Sequence, residues 1–189
     1  MMPVAWAKDH GVSSQHVVPQ GYREVARTQG IPPNILYALS LTESGRAISR
    51  NTFRPWPWTL NVEKKSYYYP TRRAAWQALT RFLEQGKVVD IGLAQVNWKW
   101  HKKRLINPWQ ALEPYFNLRV DAQILREHYE ASGDWWTAIG HYHAPAATPE
   151  ARERAQRYRG RVERHLRRLA VPAHPCAHRT WASCPAHVD

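Results

Sequence analysis

Long apolar runs are missing from this chain. No stretch reaches the about 18 apolar residues that a membrane-crossing helix needs, so no transmembrane segment is expected. The N-terminus also lacks the apolar core of a secretory signal peptide, although Ala5-Trp6-Ala7 has the small-x-small form of a signal-peptidase site and fits a start lying inside a longer leader. Cysteine is scarce: Cys176 and Cys184 are the only two, both in the C-terminal tail. No paired Cys/His finger and no aromatic RNP segment occurs, which argues against nucleic acid as the partner. Acidic residues are few as well, 15 against 27 Lys and Arg, for a net charge of +12. A basic surface concentrates polyanions, and charge alone does not choose among nucleic acid, an anionic membrane face and an acidic wall polymer.

What the chain has is indole and phenol. Ten Trp and nine Tyr stand against three Phe. Rings with polar tips suit partly exposed surfaces, and flat indole faces suit sugar rings, though core packing is their first use. With 189 residues, 43% of them hydrophobic, the chain can bury one core. The expected organisation is an irregular tail over residues 1–18, a single domain over 19–170, and a His, Pro and Cys-containing tail over 171–189. In that last tail Cys176 and Cys184 fit a short disulfide, a zinc site with His174, His178 and His187, or no role at all.

Periodicity predicts mostly helix. Apolar spacing and punctuation mark helices over 20–28, 33–43, 71–85, 98–103, 117–131, 135–143 and from Pro149 onward, with Thr71, Asn117, Asp134 and Thr148 as caps. The 71–85 helix is expected to bury Ala75, Trp76, Leu79, Phe82 and Leu83, and the last helix to turn a mostly Arg face outward. The one clear β signal is a hairpin over 58–70, where β-branched and aromatic residues flank Glu63-Lys64-Lys65.

Glu43 stands out. It lies four residues beyond Leu39 and seven beyond Leu36, on the inward stripe of the 33–43 helix, where a Leu would be expected. Desolvation disfavours the ionised carboxylate, so a Glu so placed stays protonated near neutrality and can act as a general acid. The competing reading is a carboxylate in water at a frayed helix end.

Four segments, Leu41-Thr42-Glu43-Ser44-Gly45, Pro57-Trp58-Thr59-Leu60-Asn61-Val62, Val89-Asp90-Ile91-Gly92-Leu93-Ala94-Gln95-Val96-Asn97 and Ala138-Ile139-Gly140-His141-Tyr142-His143, occur in an order and spacing that resembles the soluble lytic transglycosylases. The similarity is greatest to short wall-opening members attached to conjugation, type IV pilus and secretion systems. It implies a mainly α, α+β lysozyme-like fold with a small β-hairpin beside the active-site cleft. It also implies peptidoglycan as substrate, export to the periplasm, and no cofactor or metal. By this resemblance Glu43 is the catalytic acid, and Ser44, Gly92, Leu93, Gln95 and Asn97 line the substrate cleft. The Tyr142 hydroxyl would bond the catalytic carboxyl or the substrate, and Asn117 marks a helix start. Ala94 stands where the family commonly has Met, which would open a subsite. His143 stands where it has Asn, which would add a titrating group.

Ordinary glycosidases pair two carboxyls, about 5 Å apart for retention and about 6.5–9.5 Å apart for inversion. A lone acid suffices when the sugar supplies its own nucleophile, as in the anhydro-forming route. A two-carboxylate muramidase would need Asp90 as the second group, and a non-catalytic wall-binding protein would need neither. Trp56, Trp58, Trp98 and Trp100 flank the motif segments, where they could stack on sugars or simply pack.

Overall fold

A computed structural model describes residues 17–50, 52–145 and 147–169. Ala5-Trp6-Ala7, Cys176, Cys184 and the histidines around them lie outside the described residues.

The first helices among the described residues are α1 (Gln20–Thr28) and α2 (Pro33–Ser44), the latter started by a proline in its first turn. The backbone passes from α2 straight into β1 (Gly45–Ser49), which pairs antiparallel with β2 (Thr52–Pro55) across a bulge between Ala47 and Ser49. This small ribbon was not anticipated, because its largely exposed strands carry no apolar alternation and β2 ends in proline. The expected hairpin is present as β3 (Thr59–Val62) and β4 (Lys65–Tyr68). Its two turn residues, Glu63 and Lys64, both take positive φ (50° and 73°), the backbone a two-residue hairpin turn requires.

Thr71 caps α3 (Arg72–Glu84) by accepting the Ala74 N–H at 3.2 Å. This helix buries Ala75, Ala78 and Leu79, with Phe82 and Leu83 packed beside them, but Trp76 points outward and edges onto Trp109. The segment after α3, expected as a loop, is two short strands around a tight turn. β5 (Val89–Ile91) pairs with β3, and β6 (Val96–Asn97) with β5, completing a sheet of order β4-β3-β5-β6. Asn97 then caps α4 (Trp98–Leu105), and a one-turn α5 (Pro108–Ala111) fills the connection expected to be irregular.

A second correction concerns α6 (Pro114–Ser132). Glu113 caps it, accepting the N–H groups of Tyr115 and Phe116, and a proline occupies its first position, so the helix begins three residues before Asn117. Asn117 is thereby released for tertiary bonding inside the first turn. α7 (Trp135–His143) and α8 (Pro149–Arg168) start at the expected caps, Asp134 and Thr148.

α6 packs on α1 and α7, α7 on α8, and α8 on α2. Their shared core includes Leu36, Leu39, Leu118, Leu125, Ile139 and Tyr158. Against this helical layer rests the sheet edge that carries the Gly92–Gln95 turn. That turn is held by Asn117, whose amide donates to the carbonyls of Ile91 (3.0 Å) and Ala111 (3.1 Å) and accepts the Ala94 N–H (3.4 Å). Gly92 has φ +84°, and a Cβ there would come within 2.5 Å of the Asn117 amide, so both the backbone and the close approach demand glycine. Replacing Asn117 with Leu keeps volume but leaves buried carbonyls without donors. Asn117→Leu is expected to lower unfolding free energy by at least about 2 kcal/mol in urea titrations.

Candidate active site

Glu43 lies in the last turn of α2, with Leu36 and Leu39 of the same stripe fully buried beneath it. Its Oε1 accepts a 2.5 Å hydrogen bond from the Tyr158 hydroxyl of α8. Burial is the dominant influence and pushes the Glu43 carboxyl up to about 7. The Tyr158 bond and the Arg161 charge favour the anion and pull the other way, while the neighbouring Asp90 charge adds to the rise. The outcome is a carboxyl poised to give and take a proton near neutrality.

The hydroxyl on the Glu43 carboxyl is therefore that of Tyr158 and not Tyr142. Tyr142 donates to the Ala94 carbonyl at 2.8 Å. The change of partner follows from packing: α8 lies directly on α2, whereas α7 packs on α6 and α8. In the sequence Tyr158 is one member of an apolar stripe with Ala151, Ala155, Val162, Leu166 and Leu169 at three-and-four spacing. A phenol in an otherwise aliphatic stripe was the available signal.

Several residues expected to meet substrate are occupied inside the protein. Ser44 is fully buried, and its hydroxyl donates to the Leu93 carbonyl at 2.6 Å, with the Ser40 carbonyl at 3.3 Å. Asn97 spends its amide on Asp90 (Nδ2 to Oδ1, 2.6 Å) and on capping Trp100 N–H (3.2 Å). Gln95, at φ 52°, folds its amide back onto the carbonyls of Gly92 (2.8 Å) and Thr59 (3.3 Å). Leu93 lines an apolar pocket with Tyr22, Tyr115 and Leu118. Ala94 is fully buried, so its small side chain fills the interior and opens no subsite. Ser44 ties the turn to α2 and Gln95 ties it to β3.

Asp90 is half-buried on β5, and burial raises its pKa while the Asn97 amide lowers it. His143 stacks flat on Tyr158 with ring centroids 4.4 Å apart. Its pKa is lowered, by burial first and then by Arg161 and Arg154. Of the four flagged indoles, Trp56 and Trp58 pack edge to face, Trp98 sits against the core, and Trp100 is 75% exposed. Beside them Arg46, three residues after Glu43, lies over both Trp56 and Tyr68 at 5.0 Å. Among the described residues no cluster of His, Cys, Asp and Glu is arranged to hold a metal ion.

A carboxyl with a raised folded-state pKa binds more protons folded than unfolded between its ordinary value and about 7, so stability falls as pH rises through that window. Glu43→Gln removes this loss. The variant is expected to melt higher than wild type at pH 8.5, by at most about 3 kcal/mol in stability, and to gain far less at pH 4, as measured by calorimetry across pH.

Comparison with known proteins returned one kind of match. The family model described as the transglycosylase SLT domain matches residues 22–164. No curated protein and no solved structure matched the chain. The matched span holds Glu43, the Gly92–Gln95 turn, Tyr142 and Tyr158, together with the mainly helical fold and small antiparallel sheets. The chain belongs to the transglycosylase SLT domain family, lysozyme-like lytic transglycosylases that act on peptidoglycan.

Proposed function

We propose that this chain cleaves the β-1,4 bond between N-acetylmuramic acid and N-acetylglucosamine with Glu43 as its single acid and base. The product is a 1,6-anhydro-N-acetylmuramic end. The observation that carries this reading is the partly buried Glu43 carboxyl, held by Tyr158 and poised near neutrality.

The chemistry balances with one carboxyl. Glu43 gives its proton to the glycosidic oxygen as the bond from that oxygen to C1 breaks, the bonding pair staying on the oxygen. The C6 hydroxyl of the muramic sugar then attacks C1, and its proton returns to the Glu43 carboxylate. No water is consumed. The Tyr158 hydroxyl favours the transient Glu43 anion, and burial favours the acid that must be present first. The surrounding wall contributes positioning, because a reacting group displaced by about 1 Å loses much of the benefit of proximity.

Export to the periplasm follows from where such a substrate lies, and the Ala5-Trp6-Ala7 triplet is consistent with a leader. Local opening of the wall for a conjugation, pilus or secretion apparatus is the role the motif resemblance favours; its components would be the protein partners. Among the described residues no helix is long and apolar enough to cross a membrane. A two-carboxylate muramidase is the second reading, and the influence of Asp90 on Glu43 is what favours it.

Digestion of purified sacculi separates the two. Anhydro-ended muropeptides are expected by mass spectrometry, with Asp90→Asn retaining turnover. Reducing-end muramic acid and loss of turnover in Asp90→Asn would establish the muramidase instead. Glu43→Gln should lose about two orders of magnitude or more in turnover while still binding sacculi, the scale of general acid–base catalysis. Tyr158→Phe removes a bond that stabilises the anion, so Glu43 should hold its proton to higher pH. The basic limb of its pH–rate profile is expected to move upward while the plateau rate falls.

A further inference from the structure

Asp121 is a second carboxyl in the core that the mechanism above does not use. It lies on α6, three residues after Leu118 and four before Leu125, and is 0% exposed. Neither of its oxygens receives a hydrogen bond among the described residues. The titratable groups that face it are Tyr22 from α1, Glu43 from α2, Tyr142 from α7 and Tyr158 from α8. None of these is a cation. A carboxylate in that setting would be a buried, unpaired negative charge beside an acid that must itself ionise during turnover, a cost of several kcal/mol by general estimates.

The adjacent phenol shows where the acid proton is needed. Tyr142 has one proton and gives it to the Ala94 carbonyl at 2.8 Å. Its oxygen can then only accept from Asp121, and a carboxyl can donate only when protonated. Ala94 lies in the Gly92–Gln95 turn, whose other anchors are Ser44 and Asn117.

We propose that Asp121 is a permanently neutral positioning residue: its carboxyl O–H is given to the Tyr142 oxygen, which fixes the Tyr142 proton on the Ala94 carbonyl and clamps α6, α7 and the cleft-wall turn together behind Glu43. Burial raises the Asp121 pKa well above the ordinary carboxylate range; the nearby Tyr142 hydroxyl pulls it down and the Glu43 charge adds to the rise, with burial the largest influence. Neutrality has a second consequence. It spares the Glu43 anion a like charge at close quarters, so the general acid can complete its proton cycle. For its activity readout this inference rests on the transglycosylase reading above; its spectroscopic readout does not.

Infrared difference spectroscopy of the full chain at pH 8.5 tests the protonation state without any turnover. Wild type and Glu43→Gln are both expected to show a protonated-carboxyl carbonyl band at that pH, and Asp121→Asn to lack it. An unchanged spectrum in Asp121→Asn would overturn the proposal. Activity on sacculi tests the positioning. Asp121→Asn keeps a neutral donor toward Tyr142 and should retain turnover within about threefold, with the basic limb of the pH–rate profile unmoved. Asp121→Leu removes the donor and should lose about tenfold or more in kcat, the size expected for a displaced wall. A downward move of the basic limb in Asp121→Asn would mean that a negative charge had been removed, and full activity in Asp121→Leu would mean that no clamp exists. Either result contradicts the proposal. If Asp121→Leu fails to fold, the infrared comparison and the Asp121→Asn profile still decide it.

Discussion

The turn from Gly92 to Gln95 is packed against the helices with its first three residues buried, and buried peptide groups need hydrogen-bond partners that water cannot supply. Three helices provide them. Ser44 from α2 bonds the Leu93 carbonyl, Asn117 from α6 bonds the Ile91 carbonyl and the Ala94 N–H, and Tyr142 from α7 bonds the Ala94 carbonyl. The glycine at position 92, the early start of α6 and the inward turn of Ser44 all answer to this one requirement. Because Ser44 follows Glu43 directly, the same bond that satisfies the turn also fixes the end of α2 that carries the acid.

Glu43 shows how such a frame serves chemistry. A carboxyl in water would be ionised at neutral pH and unable to donate a proton. Burial against Leu36 and Leu39 raises its pKa, and the Tyr158 phenol restrains that rise by bonding the anion. The two influences oppose each other and come from different parts of the chain, 115 residues apart. The raised pKa costs folding stability above neutrality.

Much of the fold was legible because local rules and tertiary packing agree over its helices. The caps at Thr71, Asp134 and Thr148 all accept the hydrogen bonds their types predict, and the hairpin over β3 and β4 follows its aromatic and β-branched pattern. Where the readings failed, a long-range contact had redirected a side chain. Asn117 looked like a cap, yet Glu113 and Pro114 already start α6, which frees the amide for the turn. Trp76 fell on the apolar stripe of α3, yet Ala78 takes the interior position and the indole pairs with Trp109 outside. β1 and β2 carried no periodic signal, since their pairing is backbone hydrogen bonding between largely exposed strands.

From the residues alone came the helical class, the hairpin and the inward position of Glu43, because periodicity and capping are properties of neighbours in the chain. Tertiary structure alone decided which hydroxyl meets Glu43, that Ser44 and Asn97 serve the frame, and that Asp121 lies among Glu43, Tyr22, Tyr142 and Tyr158. Those assignments depend on how α6, α7 and α8 lie against α2. Spacing within a helix specifies which face a residue occupies, but the identity of the group it meets there is set by the packing of a distant segment.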